Sequence, residues 1–349
     1  MKIVAVRSYL QHMALTKPYS IAGYTFSDVS IAFLEVELAN GIIGLGTASP
    51  AEEVVGETAE MSAVHLASDF VQNLVGRDIE DFQQLIQEAR AHFEHLPGTQ
   101  AAIDIALHDA YGLLVGKSVS AILGRKIQAL PTSVTIGLMS IPEALAEARE
   151  FKKLGFTVLK VKTGENVEED IEKVIRIQEI VPDLKIRVDP NQGYTLSDLQ
   201  LFLRKTKEIE LIEQPLPVGL ENELTSLKSK ILMADESITG PEAAFKFAEE
   251  PRPFQIYNIK LMKSGGIQAA TEIAKMAEKA KIDLFWGCND ESILSITAAL
   301  HVAYAMPNTR YLDLDGSFDL AEDLVSGGFK LVNGYMHLIE KPGFGVTKL

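Results

Sequence analysis

The sequence predicts an α/β protein: a modified TIM barrel, (β/α)7β, with an α+β N-terminal capping domain that is completed by the C-terminal segment. Three observations predict this class. Strand and helix patterns alternate between residues 131 and 314. Charged residues end successive strand patterns at nearly even intervals. The length of 349 residues exceeds the ~250 residues of a typical barrel and leaves room for an accessory domain.

The capping domain is expected to span residues 1–125. Alternating apolar residues predict strands at 2–9, 29–38 and 42–46, and the Asn40-Gly41 pair between the last two indicates a hairpin turn. From residue 58 to residue 115 the apolar spacing becomes helical. Strands followed by helices predict an α+β domain ahead of the barrel.

The barrel is expected to span residues 126–318. Its first strand is predicted at 133–137, followed by a helix at 143–154 and a second strand at 158–161, and its last strand at 311–314. After Gly316 the sequence becomes Gly-rich and hairpin-like, so residues 319–349 are expected to return to the capping domain.

Composition excludes several classes of protein. A formal charge of −15 disfavours nucleic acid and anionic membranes as partners. No apolar run approaches the ~20 residues of a membrane span, and the N-terminal residues alternate like a strand rather than forming a secretory signal. A cytoplasmic location is therefore expected. The single cysteine, Cys288, allows no internal disulfide and is expected to be buried and inert.

Three titratable residues in apolar helices are assigned to the core rather than to a site. We expect His108 and Asp109 to form a satisfied pair inside the long helix that stops at Gly116, and His301 to be buried in the same way.

Five charged residues end the strand patterns in the middle of the chain. They are Lys162, Asp189, Glu213, Asp235 and Lys260, and the intervals between them are 27, 24, 22 and 25 residues. Each interval fits one strand, one helix and two short loops. Because the C-terminal ends of barrel strands meet at one mouth, where such enzymes keep their chemistry, we expect these side chains to converge.

The three carboxylates among them, Asp189, Glu213 and Asp235, predict a metal site. Mg²⁺ prefers oxygen ligands, and three ionised carboxylates at one mouth would repel one another without a cation. A lone acidic residue at a strand end is more often only solvated, but three in register favour one Mg²⁺ per subunit. No nucleotide cofactor is expected, because no Gly-x-Gly-x-x-Gly or Walker pattern opens a helix.

The two lysines, Lys162 and Lys260, bracket the carboxylates in strand order and are expected to face each other across the mouth. A lysine acts as a general base when burial or a nearby cation lowers its pKa, and Lys160 supplies such a charge beside Lys162. The alternative is that Lys160 and Lys162 form only a polar strand face. Residues i and i+2 share a face, so both would then lie under the helices, which is more costly.

These residues resemble the enolase superfamily, in its muconate-lactonizing-enzyme subgroup, over nearly the whole chain. The resemblance rests on the Lys-x-Lys motif at 160 and 162, the three carboxylates and the opposing Lys260. It implies that a lysine removes the proton α to a carboxylate and that Mg²⁺ stabilises the resulting enediolate. A base on each face then allows two-base 1,1-proton transfer.

Asp313-Leu314-Asp315 resembles the Asp-x-Asp signature of the dipeptide epimerases, such as the L-Ala-D/L-Glu epimerases. The resemblance implies inversion of the α-carbon of the C-terminal residue of an L,L-dipeptide, with Asp313 and Asp315 binding the α-ammonium. It also implies that Ser133 and Thr135, on one face of the first barrel strand, hydrogen-bond the peptide. The alternative for the motif is a solvated loop or a helix N-cap formed by Asp315.

Side-chain specificity is expected from loops 19–26 and 49–54 of the capping domain, with Tyr24 as a candidate contact, and from the loop around Asp290 and Glu291. An acidic residue there would pair with a cationic substrate side chain, and no arginine between Lys17 and Asp28 would receive a glutamate. We therefore expect cationic or hydrophobic dipeptides rather than Ala-Glu. Asp290 facing only water is an equal alternative.

Two other functions are compatible with the sequence. The first is another reaction of the same subgroup: N-succinylamino acid racemisation, o-succinylbenzoate synthesis or muconate cycloisomerisation. The second is a metal-binding module without catalysis, which would leave both lysines idle. The resemblance also implies a homo-oligomer.

Overall fold

The computed structural model describes residues 1–21, 24–227 and 229–349, with the side chains of residues 17–26 left out. It begins with an antiparallel sheet of three strands in the order β1-β2-β3. The strands are β1 (Ile3–Ile21), β2 (Tyr24–Leu38) and β3 (Ile43–Ala48). The predicted hairpin is present, but β1 is 19 residues long and extends well beyond the predicted end at residue 9.

Six helices follow this sheet. They are α1 (Glu52–Val55), α2 (Ala59–Leu66), α3 (Asp69–Gln72), α4 (Phe82–His92), α5 (Pro97–Leu114) and α6 (Val119–Leu123). A short 3-10 turn, Ile79–Asp81, precedes α4. Helix α5 lies directly on β3, where a Cβ atom at Gly46 would come within 2.0 Å of the Ala102 carbonyl oxygen. This close approach requires glycine.

The barrel contains eight strands that are neighbours in chain order. A short strand, β4 (Ala129–Pro131), precedes it. The barrel strands are β5 (Val134–Ile136), β6 (Val158–Lys162), β7 (Lys185–Asp189), β8 (Ile209–Glu213), β9 (Leu232–Ala234), β10 (Ile256–Ile259), β11 (Asp283–Trp286) and β12 (Thr309–Leu312). All seven neighbouring pairs are parallel. A parallel bridge between Thr132 and Leu312 closes the sheet on itself.

The helices of the barrel lie between consecutive strands. They are α7 (Ile141–Lys153), α8 (Val167–Ile180), α9 (Leu196–Lys205), α10 (Pro241–Phe247), α11 (Leu261–Ser264), α12 (Ile267–Ala280) and α13 (Ile293–Ala303). Between β8 and β9 the described residues form a 3-10 helix, Glu221–Leu227, instead of an α-helix. The prediction of a modified barrel with a capping domain is confirmed.

The strand sequences explain why both faces of the barrel sheet are buried. Strand β6 is Val-Leu-Lys-Val-Lys, and its apolar residues Val158, Leu159 and Val161 are buried to within 1% exposure. Continuous apolar strands are typical of parallel sheets that are covered on both faces. The charged residues of such a strand are therefore confined to its end at the mouth or to paired positions inside.

The C-terminal residues form four short strands against both parts of the molecule. They are β13 (Val325–Gly327), β14 (Phe329–Val332), β15 (Tyr335–Leu338) and β16 (Val346–Lys348). Strand β15 pairs with β4, which directly precedes the first barrel strand. Bridges from Leu320 to Leu15 and from Gly343 to Ser118 join the segment to the capping sheet and helices. The C-terminal segment thus completes the cap. Within the described part of the chain, no helix has the length and apolar character needed to span a membrane.

Candidate active site

The predicted strand-end residues meet at the mouth of the barrel. Lys160 is the centre of the group, and its Nζ lies 2.9 Å from Glu213 Oε2, 2.9 Å from Asp313 Oδ2 and 3.1 Å from Asp189 Oδ2. It is only 5% exposed. One buried ammonium group therefore contacts carboxylates from three different strand ends.

Lys162 lies beside this centre, at the end of β6. Its Nζ donates to Asp189 Oδ2 and to Asn191 Oδ1, each at 2.7 Å. Asn191 was not predicted as a site residue, although it belongs to the Asp-Pro-Asn turn that follows β7. Its backbone N–H also donates to Asp189 Oδ1 at 2.9 Å, so the turn orients the carboxylate.

Asp235 carries the second group of lysines. Lys260 Nζ lies 2.9 Å from Asp235 Oδ2, and Lys263 Nζ lies 2.5 Å from Asp235 Oδ1. Lys263 also donates to the Asn258 carbonyl at 3.1 Å. Sequence reasoning missed Lys263, and its signal was its position on the one-turn helix α11 that begins directly after Lys260. It fixes the carboxylate that Lys260 faces.

Lys162 and Lys260 stand on opposite sides of the mouth. Lys162 ends β6 and Lys260 follows β10, and these strands are four positions apart in a closed sheet of eight. Four positions are half of the circumference. The carboxylates of Asp189, Glu213 and Asp235 belong to the strands between them. The lysines can therefore approach a small molecule at the centre from both faces.

The carboxylates are bonded to lysines and amides in this structure rather than to one another. Among the described residues, no three His, Cys, Asp or Glu side chains converge on one point that could hold a metal ion. Glu213 Oε1 accepts from Asn258 Nδ2 at 2.7 Å, whereas its buried Oε2 accepts no hydrogen bond, although Lys160 is close. Asn258 was not predicted from the sequence because it lies inside strand β10.

The charges of the site follow from these contacts. Burial, and next the negative charge of Asp189, raise the pKa of Glu213 to about 8. Burial acts to raise the pKa of Asp235 as well, but Lys260 and Lys263 together hold it well below its usual value. Compared with Asp235, Glu213 is therefore less well compensated by neighbouring positive charges. A hard divalent cation fits a donor set of this kind.

The pKa values of Lys260 and Lys160 differ from the lowered pKa that was expected for a lysine acting as a general base. Burial acts to lower the pKa of Lys260, but Asp235 and Glu213 together hold it above its usual value. For Lys160, burial is likewise outweighed, here by Asp313, Glu213 and Asp189, and the pKa is raised. The predicted lowering of the pKa is therefore not found for Lys260, because the Asp235 carboxylate contacts its ammonium group directly.

The Asp-x-Asp motif lies at the end of β12, on the same side of the mouth as β5. Asp313 Oδ1 accepts from Ser133 Oγ at 2.5 Å, and Asp315 Oδ2 accepts from the backbone N–H and the hydroxyl of Thr135, both at 2.9 Å. Ser133 is fully buried. Its hydroxyl donates to Asp313, and contact between Ser133 and the peptide stays a prediction.

The two acids of the motif differ in charge. Burial acts to raise the pKa of Asp313, but Lys160, Ser133 and Arg187 lower it below its usual value. Burial and the neighbouring Asp313 raise the pKa of Asp315 to about 7. A cationic group placed between them would favour ionisation of both.

The capping sheet meets the barrel mouth at Ser49, at the start of the predicted loop 49–54. Ser49 Oγ donates to the Asp290 carbonyl at 2.6 Å, and Asn289 Nδ2 donates to the Ser49 carbonyl at 2.9 Å. Ala51 and Val54 line a small cleft beside Lys260. The other predicted loop, 19–26 with the Tyr24 side chain, lies outside the residues whose side chains are described.

The closed barrel, its cap and the opposed lysines around carboxylates define a member of the enolase superfamily. Residues 4–124 match the family described as mandelate racemase / muconate lactonizing enzyme, N-terminal domain, and residues 143–348 match the enolase C-terminal domain-like family. An L-Lys-D/L-Arg epimerase of Desulforapulum autotrophicum is 46% identical over 100% of both chains. The chain belongs to the dipeptide epimerase family of this superfamily, and is therefore an isomerase.

Two further proteins show the same likeness. A hydrophobic dipeptide epimerase of Enterococcus faecalis is 33% identical, over 99% of this chain and 100% of that one. The crystal structure of a dipeptide epimerase from Methylococcus capsulatus, complexed with Mg and the dipeptide L-Arg-D-Lys, has a TM-score of 0.97 and 45% identity over 99% of this chain and 100% of that chain. The resemblance inferred from the motifs is confirmed.

Proposed function

We propose that this protein is a Mg²⁺-dependent epimerase that inverts the α-carbon of the C-terminal residue of an L,L-dipeptide. The observation that carries the proposal is the position of Lys162 and Lys260 on opposite sides of one carboxylate-lined mouth, with Asp313 and Asp315 at its rim. One pair of residues would move the proton, and the other would bind the free amino end of the substrate.

Asp189, Glu213 and Asp235 would hold the cation, one Mg²⁺ per subunit. The chemistry of the donors supports this, because among the described residues the buried Oε2 of Glu213 has no partner besides the Lys160 ammonium group at 2.9 Å, and the pKa of Glu213 is raised to about 8. The crystal structure of the Methylococcus relative contains Mg. When bound, the cation supplies positive charge beside the substrate carboxylate, which makes the adjacent α-proton more acidic.

The two lysines would carry the proton across the plane of the substrate. One lysine, in its neutral form, takes the α-proton onto Nζ, and the C–H electron pair passes into the carboxylate. The other, in its ammonium form, donates a proton to the opposite face of the same carbon. One lysine gains a proton and the other loses one, so the reverse reaction starts from the opposite protonation states. Lys160 would stay charged, since its pKa is raised by three carboxylates.

Asp313 and Asp315 would recognise the α-ammonium of the N-terminal residue. They line the mouth on the side of β5 and β12, and Asp313 is held as an anion by Lys160 and Ser133. This arrangement disfavours the substrates of the alternative reactions, N-succinylamino acids, o-succinylbenzoate precursors and muconate, which are anions without a free ammonium group.

Cationic dipeptides are the proposed substrates, ahead of hydrophobic ones. The relative named L-Lys-D/L-Arg epimerase is 46% identical, compared with 33% for the hydrophobic dipeptide epimerase. Asp290, beside Ser49 at the edge of the mouth, is the residue we assign to a cationic side chain. Assembly into a homo-oligomer stays a prediction that light scattering would check.

The test is deuterium exchange on a library of L,L-dipeptides with Mg²⁺ in D₂O, followed by ¹H NMR. We expect deuterium at the α-carbon of the C-terminal residue, fastest for Lys- and Arg-containing dipeptides. Lys162→Ala and Lys260→Ala should each abolish epimerisation, and EDTA should do so reversibly. Lys153→Ala, at an exposed position of α7, is the matched control and should leave the rate unchanged.

Two results would count against the proposal. Exchange that survives in both lysine variants would remove these residues from the reaction. Exchange that occurs only with N-succinylamino acids would replace the dipeptide substrate with an acylated amino acid.

A further inference from the structure

Arg187 is a buried charge that the proton transfer does not use. It lies in the middle of β7, two residues before Asp189, and is only 2% exposed. Residues i and i+2 of a strand share a face, so its side chain points into the barrel below the carboxylates. Arginine stays protonated at any physiological pH, and an arginine buried to this extent is retained only with specific partners.

The guanidinium has partners at two levels of the barrel. Towards the bottom, Nε donates to Glu210 Oε2 at 2.7 Å, and the group lies against the rings of Phe285 and Tyr311, with 5.2 and 5.3 Å between the guanidinium carbon and the ring centroids. Towards the mouth, Nη1 donates to Ser133 Oγ at 3.0 Å and to the Leu312 carbonyl at 2.6 Å. The side chain thus links the interior to the residue that precedes Asp313.

The Ser133 hydroxyl connects Arg187 to Asp313 through two hydrogen bonds whose donors and acceptors are fixed. A hydroxyl has a single proton to donate, and here its oxygen accepts from Arg187. Its proton is therefore directed to Asp313 Oδ1 at 2.5 Å, which is much nearer than its other acceptor, the Leu312 carbonyl at 3.3 Å. Asp313 Oδ2 remains for Lys160 Nζ at 2.9 Å. The Asp313 carboxylate is therefore oriented by two groups. One is the Ser133 hydroxyl, which Arg187 holds, and the other is the Lys160 ammonium group.

We propose that Arg187 is a positioning residue for substrate recognition, which acts through Ser133 to orient Asp313 towards the α-ammonium of the dipeptide. The inference rests on the proposed function. Arg187 does not touch the substrate, and its loss should weaken the recognition of the ammonium group rather than the proton transfer.

The experiment compares two ligands that differ only in this group. L-Lys-L-Lys has the α-ammonium, and 6-aminohexanoyl-L-lysine lacks it but keeps both cationic side chains. The readout is the ratio of their kcat/KM values for deuterium exchange, or of their inhibition constants where the analogue exchanges too slowly. The variants are Ser133→Ala and Arg187→Met. Glu210→Gln is the matched control, because it removes the charged partner of Arg187 on the side away from Ser133.

We expect both variants to reduce the preference for L-Lys-L-Lys about tenfold, mainly through KM, and Glu210→Gln to preserve it. The double variant should lose no more of this preference than the single variant with the larger loss, because Arg187 acts through Ser133. If Arg187→Met does not fold, Ser133→Ala alone tests the path.

An unchanged preference in Ser133→Ala, or losses that multiply in the double variant, would overturn the inference while leaving the epimerase proposal intact. If the unaltered protein exchanges neither ligand, the proposed function itself fails, and the inference fails with it.

Discussion

Asp290 and Glu291 are neighbours in the chain but have different surroundings. Glu291 is 2% exposed, and its Oε1 accepts from the backbone N–H of Asn289 in its own loop at 3.0 Å. Burial, the largest influence, raises its pKa to about 7. Asp290 is half-buried, and Ser49 holds its carbonyl group. Of the two acids, Asp290 is therefore the less buried, and it is the one that we assign to a substrate side chain.

Asp290→Asn should reduce selectivity for cationic dipeptides. Loss of one charge-assisted contact corresponds to about tenfold in kcat/KM for L-Lys-L-Lys, with a much smaller change for L-Leu-L-Leu. The measurement is kcat/KM for both dipeptides. Asp283→Asn, at the opposite end of β11, is the control, and equal losses for both dipeptides would exclude Asp290 as the specificity residue.

His301 is a buried neutral histidine whose charge affects stability. Its Nδ1 accepts from the backbone N–H of Ser120 at 2.9 Å, and its Nε2 has no partner within the described residues. Burial, assisted by the charge of Arg125, lowers its pKa to about 3. The unfolded chain, with a histidine pKa near 6.5, therefore binds this proton more readily than the folded one.

The free energy of unfolding should fall as the pH is lowered from about 6.5 towards 3, by up to about 1.4 kcal/mol per pH unit from this group. His301→Gln keeps an acceptor for Ser120 and removes the titration, so its curve should be flatter. Urea unfolding at several pH values measures the difference between the two proteins. Parallel curves would show that His301 is not the group responsible.

The pairing of His108 and Asp109, expected from the sequence, is wrong. Consecutive helix residues do not face each other, whereas residues four apart do. His108 Nδ1 accordingly lies 2.5 Å from Asp104 Oδ1, one turn earlier in α5. The sequence was sufficient to assign both residues to the core. Their partners depend on which elements pack against α5, and no local pattern contains that information.

At the scale of elements, Asp109 joins three parts of the chain. Its Oδ2 accepts from the backbone N–H of Leu45 in β3, and its Oδ1 from that of Phe344 in the C-terminal segment, both at 3.0 Å. The carboxyl is 3% exposed, and burial raises its pKa to about 6 despite both bonds. One side chain of α5 thus satisfies backbone groups of two other elements.

Asp109→Ala should destabilise the protein markedly, because two buried N–H groups lose their acceptors at about 1–3 kcal/mol each. The measurement is the free energy of unfolding from urea titration. Asp183→Ala is a suitable comparison, since Asp183 is exposed and pairs with Lys152 at 2.6 Å. A loss no larger than that of the comparison would mean that water reaches these N–H groups.

Element types in the barrel were predictable because each unit repeats one pattern of apolar strand and amphipathic helix. Two elements differ from the expectation, one in the capping sheet and one in the barrel. Strand β1 continues through polar residues such as Gln11 and His12 because β2 pairs with it along its length, a long-range effect. The connection after β8 forms the 3-10 helix Glu221–Leu227, although Leu220, Leu224 and Leu227 have the spacing of an α-helix.

On the scale of the whole molecule, the C-terminal segment closes the structure. Phe344 is fully buried and packs edge-on against His301, with ring centroids 5.3 Å apart, and Met336 is fully buried as well. Strand β15 gives β4 its partner. These contacts bind the segment to the barrel, while Gly343 and Leu320 bind it to the cap.

A chain that ends at residue 318 should lose cooperative unfolding and be cut rapidly by proteases. Removal of buried side chains of this size costs about 3–5 kcal/mol each, a large share of a typical stability of 5–15 kcal/mol. Circular dichroism melting and limited proteolysis measure this. Removal of Leu349 alone, which is 77% exposed, is the control, and equal melting of the two would show the segment to be dispensable.

The mouth of the barrel was predictable because its residues repeat at strand ends, where topology alone brings them together. Asn258 inside β10 and Lys263 on the one-turn helix α11 could not be predicted in this way, since their roles come from packing. Arg187 belongs with them: in the sequence it is one more charge in a short strand, and only the closed barrel places it under Ser133.

The hydrogen bonds between Ser49 and the loop of Asn289 and Asp290 have an evolutionary consequence. They make the edge of the cap and the loop after β11 a single adjustable unit at the rim of the mouth. Mutations that shift substrate range can accumulate in this unit. They must also accumulate together, so a cap transplanted from a relative should retain its selectivity only when the matching barrel loop is transplanted with it.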